Sequence, residues 1–148
     1  MAITGLIHVN INCSNFERSL EFYGWLGFEK YLDVAPTNTP EVAAAVGMPP
    51  YRVNGALLLL KEAKVPFVID LLEWQEPRDD SAPYPHLYHL GLARIALATD
   101  NLDAQMADLK SRGVEFLSEP ATVTMAGAPP TRFVCFKDPD GTVLELVQ

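Results

Sequence analysis

The stretch Asp138-Pro139-Asp140-Gly141-Thr142-Val143-Leu144-Glu145-Leu146-Val147 predicts a tight turn that leads into a buried strand. Pro139 presets φ within the turn, and Gly141 accepts the left-handed backbone conformation that such a turn uses. The apolar residues that follow are typical of a strand with little exposure to water. Glu145 lies among them. A bare carboxylate there costs several kcal/mol, so it should be paired, bound to a metal or directed into a cavity. The alternative is an edge strand with Glu145 in water.

The composition excludes several classes of partner. The chain has 148 residues, 49% of them hydrophobic, which predicts a soluble globular protein of one domain or two very small ones. A net charge of −8 argues against binding to nucleic acid or to anionic membranes. The first residues show no signal peptide, so we expect a cytoplasmic protein in which Cys13 and Cys135 are free thiols.

An internal repeat organises the rest of the chain. A strand over 5–12, with His8 on the same face as Asn10 and Asn12, is followed by a helix and, after a proline-rich excursion, by further strands. A strand–helix pattern starts again at Gly91. The same spacing separates Gly5 from Gly91 and Gly27 from Gly113. A shorter spacing aligns 68–71 with 143–146, because the excursion at 35–50 lengthens the first half.

The repeat predicts two copies of a strand–helix–strand–strand–strand module. We predict one domain made of module 1 (3–74), a linker (75–90) and module 2 (91–148). Each module alone would bury little core, so the two modules should pack together around a concavity that suits a small molecule.

Three stretches carry a resemblance to the vicinal oxygen chelate superfamily. It includes glyoxalase I, methylmalonyl-CoA epimerase, extradiol dioxygenases, and the fosfomycin and bleomycin resistance proteins. The stretches are 7–9 with 15–28, then 98–104, and finally 136–146. The resemblance implies an α+β fold of two tandem βαβββ modules that form a cupped mixed sheet. It also implies a homodimer.

In that superfamily one residue from the first strand and one from the last strand of each module hold a divalent metal. The corresponding residues here are His8, Asp70, Arg94 and Glu145. Arg94 replaces the usual histidine, and a guanidinium has no lone pair to give to a metal.

Two outcomes therefore stay open at this position. His8, Asp70 and Glu145 could hold Mn, Fe, Ni, Zn or Mg on their own. Alternatively, Arg94 could bridge the two carboxylates as an organic cation in place of the metal. Repulsion between a guanidinium and a dication favours the version without metal. His86 and His89 could complete the ligand set, but we interpret both as histidines of the linker.

Other side chains are candidates for contact with a substrate. Arg132 could clamp a carboxylate or a carbonyl, although a surface arginine is the alternative. Several large aromatic residues could form pocket walls, or else ordinary core: Trp25, Tyr51, Trp74 and Phe133. The loops 35–50 and 119–130 should shape the pocket.

The resemblance implies an isomerase, epimerase or lyase acting on a small oxygen-rich molecule. Glu145 or Asp70 would move a proton next to a carbonyl, His8 would share or position it, and the central cation would stabilise the oxyanion. A second hypothesis is a protein that sequesters or senses a small aromatic compound without turnover. A third is a ring-cleaving dioxygenase, which would need two histidines and a carboxylate on iron.

Overall fold

The computed structural model describes residues 1–148, which form two compact units, Met1–Ser81 (unit 1) and Ala82–Gln148 (unit 2). The division between the units falls inside the segment 75–90 that the sequence predicts as a linker. The domain boundaries predicted from the repeat stay a prediction. None of the helices combines the length and the apolar character that crossing a membrane requires.

Unit 1 is a four-stranded mixed sheet with two helices. Its first strand lies beside its last and is parallel to it, while the other neighbours are antiparallel, so the strand order is β1-β4-β3-β2. The elements are β1 (Val9–Asn12), α1 (Phe16–Trp25), β2 (Phe28–Asp33), α2 (Pro40–Ala45), β3 (Arg52–Leu60) and β4 (Val68–Glu76).

Side-chain caps start both helices of unit 1. The Asn15 side chain accepts a hydrogen bond from Arg18 N at 3.0 Å, which satisfies a donor of the first turn of α1. Thr39 Oγ1 accepts from Val42 N at 3.2 Å, with Pro40 at the first helical position of α2. Both helices thus begin at a residue whose side chain satisfies a nearby backbone donor.

One face of the unit 1 sheet packs against α1. Ile69 and Leu71 of β4 are buried, and Glu73 on the same face accepts a hydrogen bond from Phe16 N at 2.8 Å. Because side chains alternate across a strand, Asp70 and Leu72 point to the opposite face. The candidate site residue of β4 therefore lies on the face that α1 leaves uncovered.

Unit 2 repeats the topology of unit 1. Its strand order is β5-β8-β7-β6, with β5 parallel to β8, and its helix is capped by Asn101, which accepts from Ala104 N at 3.0 Å. No helix corresponds to α2, in agreement with the longer first half of the repeat. The elements are β5 (Ile95–Ala98), α3 (Leu102–Ser111), β6 (Ala121–Val123), β7 (Thr131–Lys137) and β8 (Val143–Val147).

The turn before β8 forms as its residues predict. Asp138 Oδ1 accepts hydrogen bonds from Asp140 N and Thr142 N, both at 2.9 Å, and Gly141 adopts a φ of 98°. An L-residue other than glycine rarely adopts that φ. The turn leads β8 back beside β7 and β5, which places Glu145 in the middle of the unit 2 sheet.

The first strand of each unit is shorter than predicted. The strands expected from Gly5 and Gly91 begin at Val9 and Ile95. Pairing begins at Val9 with Ile69 and at Ile95 with Leu144, near the starts of β4 and β8, so the earlier residues have no partner strand in their unit. His8 and Arg94 consequently precede their strands instead of lying within them.

Candidate functional site

The structure groups the four superfamily positions into two pairs. In unit 1, His8 lies next to Asp70 of β4, and in unit 2, Arg94 lies next to Glu145 of β8. Each pair joins the start of a first strand to the last strand, because these two strands are parallel neighbours in both sheets. The prediction that all four residues form a single cluster stays a prediction.

The Arg94–Glu145 pair is a short ionic hydrogen bond. Arg94 Nε donates to Glu145 Oε2 at 2.5 Å, and the Glu145 side chain is only 12% exposed, whereas that of Arg94 is 45% exposed. A charge-assisted bond of this kind compensates a carboxylate for its loss of hydration. Glu145 is thus buried and paired, which is one of the states that its apolar sequence context predicts.

Cys135 adds a thiol to this pair. It lies opposite Glu145 in the β7–β8 ladder, and its Sγ is 3.6 Å from Glu145 Oε2. Burial raises the pKa of the Cys135 thiol, the Glu145 carboxylate raises it further, and Arg94 opposes the shift. A thiol held protonated in this way is a weak donor and a poor nucleophile. Sequence inspection missed the contact, although the antiparallel register of the last two strands could have indicated it.

A divalent metal does not fit the donor set of unit 2. The Arg94 guanidinium has no lone pair to give to a metal, and its Nε donates to Oε2, one of the two Glu145 oxygens. Within neither unit do three His, Cys, Asp or Glu side chains come together in a group that could hold a metal ion.

Removing the cation of the Arg94–Glu145 pair should destabilise the protein. We expect Arg94→Leu to lower the free energy of unfolding by roughly 1–3 kcal/mol, because it leaves a buried carboxylate unsatisfied. Because Arg94 is partly exposed and water screens its charge, we expect the loss of stability to be near the lower end of that range.

Urea unfolding at pH 7 measures this change. The double variant Arg94→Leu/Glu145→Leu should recover most of the loss, since neither charge remains. Arg112→Leu, which breaks the exposed pair with Asp108 on α3, is the control and should change stability by less than about 0.5 kcal/mol. If the double variant lost as much stability as Arg94→Leu, the unpaired charge of Glu145 would not be the cause of the loss.

The His8–Asp70 pair is looser. His8 Nε2 lies 4.0 Å from Asp70 Oδ2, which is beyond hydrogen-bonding distance, and the His8 side chain is 43% exposed. Asp70 Oδ1 is buried and has no hydrogen-bond partner. Burial raises the pKa of the Asp70 carboxyl, and the nearby His8 opposes the shift. Asp70 is therefore a carboxyl group with an unused oxygen.

A pocket of about 440 Å³ lies entirely within unit 1, and Asp70 forms part of its wall. This volume is within the range of small-molecule sites. Leu57 lies directly opposite Asp70 in the β3–β4 ladder, and Leu72 follows on the same face. The remaining wall comes from the end of β2, the segment that leads into α2, α2 itself and the start of β3, and it includes Leu32, Val42 and Val53. The pocket is thus an apolar concavity with a carboxyl group in its wall.

The predicted aromatic walls have different locations. Tyr51 lines the pocket, and its ring centroid is 4.7 Å from that of Trp74. Trp25 lies in α1, where its ring contacts the buried Phe22 at a centroid distance of 5.8 Å. Phe133 is on β7 in unit 2, on the same face as Glu145. The substrate-binding roles of these residues stay predictions.

Arg132 is engaged in a bidentate ion pair. Its Nη1 and Nη2 atoms donate to the carboxylate of Asp103, in the first turn of α3, at 3.0 and 2.8 Å. Strand alternation places Arg132 on the face opposite that of Cys135 and Glu145. The predicted clamp on a substrate carboxylate stays a prediction, and the guanidinium has a structural partner in its own unit.

The two linker histidines stack on tyrosines. His86 and Tyr88 have ring centroids 3.6 Å apart, and Tyr84 and His89 have centroids 4.3 Å apart. All four residues lie in the segment before β5. The two histidine rings are 6.0 Å apart, and the structure shows no group of metal ligands that includes them.

Comparison with known proteins gives a consistent result. The sequence profile described as Glyoxalase/Bleomycin resistance protein/Dioxygenase superfamily matches residues 5–146. Among solved structures, a glyoxalase family protein from Enterococcus faecalis is 26% identical, with a TM-score of 0.66 and 100% coverage of both chains.

Two more distant structures support the fold. A glyoxalase family protein from Bacillus cereus has a TM-score of 0.75 at 17% identity, with coverage of 99% of this chain and 97% of that chain. A glyoxylase/bleomycin resistance protein/dioxygenase domain from Frankia sp. has a TM-score of 0.71 at 15% identity, covering 99% and 92%. None of the curated proteins matches the sequence.

Proposed function

The chain belongs to the Glyoxalase/Bleomycin resistance protein/Dioxygenase superfamily, and on this basis we propose that it is an enzyme that moves a proton next to a carbonyl group of a small molecule. Isomerase, epimerase and lyase reactions all contain such a step. The observation that carries the proposal is Asp70 Oδ1, which is buried without a hydrogen-bond partner beside an apolar pocket. The Asp70 side chain as a whole is 18% exposed, so a bound molecule can reach the part of the carboxyl group that is not buried.

Asp70 has the properties of a proton-transfer residue. Burial raises the pKa of its carboxyl, which makes the ionised form a stronger base than an exposed aspartate. In the proposed step, the carboxylate takes the proton from the carbon next to the carbonyl. The C–H electron pair moves toward the carbonyl oxygen, and an enolate forms. The protonated Asp70 then returns the proton to the same carbon or to a neighbouring atom.

His8 is the nearest residue that can respond to this change. Its Nε2 is 4.0 Å from Asp70 Oδ2. The nearby His8 lowers the pKa of Asp70 and so favours its ionised form, against the effect of burial. His8 would therefore tune Asp70. The role of Arg94 as the cation for the enolate oxygen stays a prediction from the superfamily resemblance.

Hydrogen exchange with solvent tests the proposal. Ketones, 2-oxo aldehydes and 2-oxo acids would be incubated in D₂O with the parent and with Asp70→Asn, and deuterium incorporation next to the carbonyl followed by NMR. We expect the parent to exceed the buffer rate for at least one compound, and Asp70→Asn to fall back toward it. A panel without any acceleration by the parent would contradict the proposal.

A second candidate is ligand binding without turnover, and the Arg94–Glu145 bond favours it. Glu145, the carboxylate at the last-strand position, accepts a hydrogen bond through Oε2 from Arg94, a cation of its own unit. If the protein only binds a ligand, Glu145→Ala would change the affinity for that ligand, and neither the parent nor the variant would catalyse hydrogen exchange. The ring-cleaving dioxygenase has no supporting observation.

The proposal that Arg94 takes the place of a metal makes its own prediction. We expect Arg94→His to gain divalent metal that the parent lacks, because an imidazole supplies a lone pair and frees Glu145 from its ion pair. Elemental analysis after incubation with Mn, Fe, Ni, Zn and Mg measures the metal content of both proteins. Arg94→Lys, which keeps the charge, is the control. Stoichiometric metal in the parent would contradict the proposal that Arg94 takes the place of a metal.

A further inference from the structure

We infer that the unit 1 pocket takes uncharged carbonyl compounds with an apolar body and rejects carboxylates and other anions. The inference deepens the proposed function and rests on it for the carbonyl group of the substrate. It concerns charge selection, which the superfamily membership leaves open.

The charged groups of the pocket have one sign. Two carboxylates, Asp33 and Asp70, line it, and no lysine, arginine or histidine does. Asp33 is 74% exposed and accepts a hydrogen bond from Lys30 Nζ at 2.8 Å, so its charge is largely compensated and screened by water. The Asp70 side chain is 18% exposed, and no side chain forms a hydrogen-bonded ion pair with it, since His8 Nε2 lies 4.0 Å away. Asp70 therefore dominates the field that a bound molecule experiences.

Two other polar side chains of the wall, Asn38 and Thr39, are already engaged with the backbone. Asn38 Nδ2 donates to Tyr51 O at 2.9 Å, and Asn38 Oδ1 accepts from Tyr51 N at 3.3 Å. Thr39 Oγ1 accepts the N-cap hydrogen bond of α2 from Val42 N. These two side chains hold the wall in place. The hydroxyl groups of Thr37 and Tyr51 are the other side-chain donors of the wall, and both are uncharged.

An anion in this pocket would lose its hydration and face the Asp70 carboxyl without a compensating cation. Both terms oppose binding, because charge burial without a partner is costly and like charges repel more strongly at low dielectric. A neutral carbonyl compound loses far less hydration. Its apolar body meets Leu57 and Leu72, and its reacting carbon can approach the exposed part of the Asp70 carboxyl group. The pocket thus selects by excluding the wrong charge.

Phenylacetone and phenylacetate test this selection, since they have nearly the same shape and differ in charge at pH 8. Titrations followed by the methyl NMR signals of Val53 and Leu57 report binding within the pocket. We expect the parent to bind phenylacetone at least about tenfold more tightly than phenylacetate, an energy difference of roughly 1.4 kcal/mol.

Variants assign the selection to Asp70. In Asp70→Asn the affinities for phenylacetone and phenylacetate should differ by no more than about threefold, because phenylacetate binds more tightly than it does to the parent. Asparagine removes the charge that repels phenylacetate and keeps the shape of the side chain. Asp108→Asn, which removes one exposed charge of α3 in unit 2, is the control for net charge and should keep the parent preference.

Three results would overturn the inference. The parent could bind the two compounds with equal affinity, or the preference for phenylacetone could survive in Asp70→Asn. The third is no binding of either compound at 10 mM, which corresponds to a binding free energy weaker than about −2.7 kcal/mol. The titration needs no turnover. If the parent prefers phenylacetone but catalyses no deuterium exchange, the inference stands and the proposed enzyme activity is rejected. If the parent catalyses exchange but shows no preference, the enzyme activity stands and the inference is rejected.

Discussion

Asp70→Asn is expected to lose proton-exchange activity by about 10²- to 10⁴-fold, which is the contribution of a general base, and to be more stable than the parent at pH 7. Both effects have the same origin. The parent keeps a carboxyl in a place where its charge is poorly compensated, with one oxygen buried and unbonded. Sites of this kind trade stability for function.

The direction of the stability change follows from linkage. Burial raises the pKa of Asp70 in the folded state above its value in the unfolded chain. Between these two values the folded state binds more protons, so the stability of the parent falls as the pH rises through that window. The loss is complete above the folded pKa. Asparagine cannot ionise, so Asp70→Asn lacks this contribution and should gain most at neutral pH.

Thermal unfolding of the parent and Asp70→Asn between pH 4 and pH 8 measures the effect. Asp103→Asn serves as a control of opposite sign, because the hydrogen bond from Arg132 lowers the pKa of Asp103 and its charge is favourable in the folded state. A less stable Asp70→Asn that still catalyses exchange would show that the unbonded carboxyl has neither role.

Gly55→Ala is expected to destabilise the protein by about 1–3 kcal/mol, the usual cost of forcing extra atoms into a packed core. Gly55 lies on β3 opposite Leu72 of β4. A Cβ atom at Gly55 would lie 2.5 Å from Leu71 O and 2.6 Å from Leu72 Cδ2. The Leu72 side chain can move, whereas the Leu71 carbonyl belongs to the sheet backbone, so the strands themselves must separate.

Gly24→Ala is the matched control for this substitution. Gly24 lies in α1, and nothing comes within 4 Å of a Cβ built there. Alanine should therefore stabilise the protein by about 0.5–1 kcal/mol through its better helix propensity. Urea unfolding of the two variants compares the same chemical change at a crowded and at an open position. A loss of stability in both variants, or in neither, would contradict the steric explanation for the effect of Gly55→Ala.

The sequence by itself determined the local elements and their repetition. Asn15, Thr39 and Asn101 begin the helices because their side chains bond nearby backbone donors, and the turn at Asp138 forms through contacts within five residues. Interactions of such short range can be read from neighbouring residues. The repeat and the superfamily resemblance then led to the fold, and to the residues that pair within each unit.

Tertiary structure alone decided how those residues are used. Strand pairing leaves His8 and Arg94 just ahead of β1 and β5, and alternation across β7 turns Arg132 toward Asp103 and away from the face of Glu145. The pocket beside Asp70 likewise depends on residues far apart in the chain, from Leu32 to Leu72. Burial, pKa and pocket shape are sums over such distant neighbours, and no local pattern in the sequence contains them.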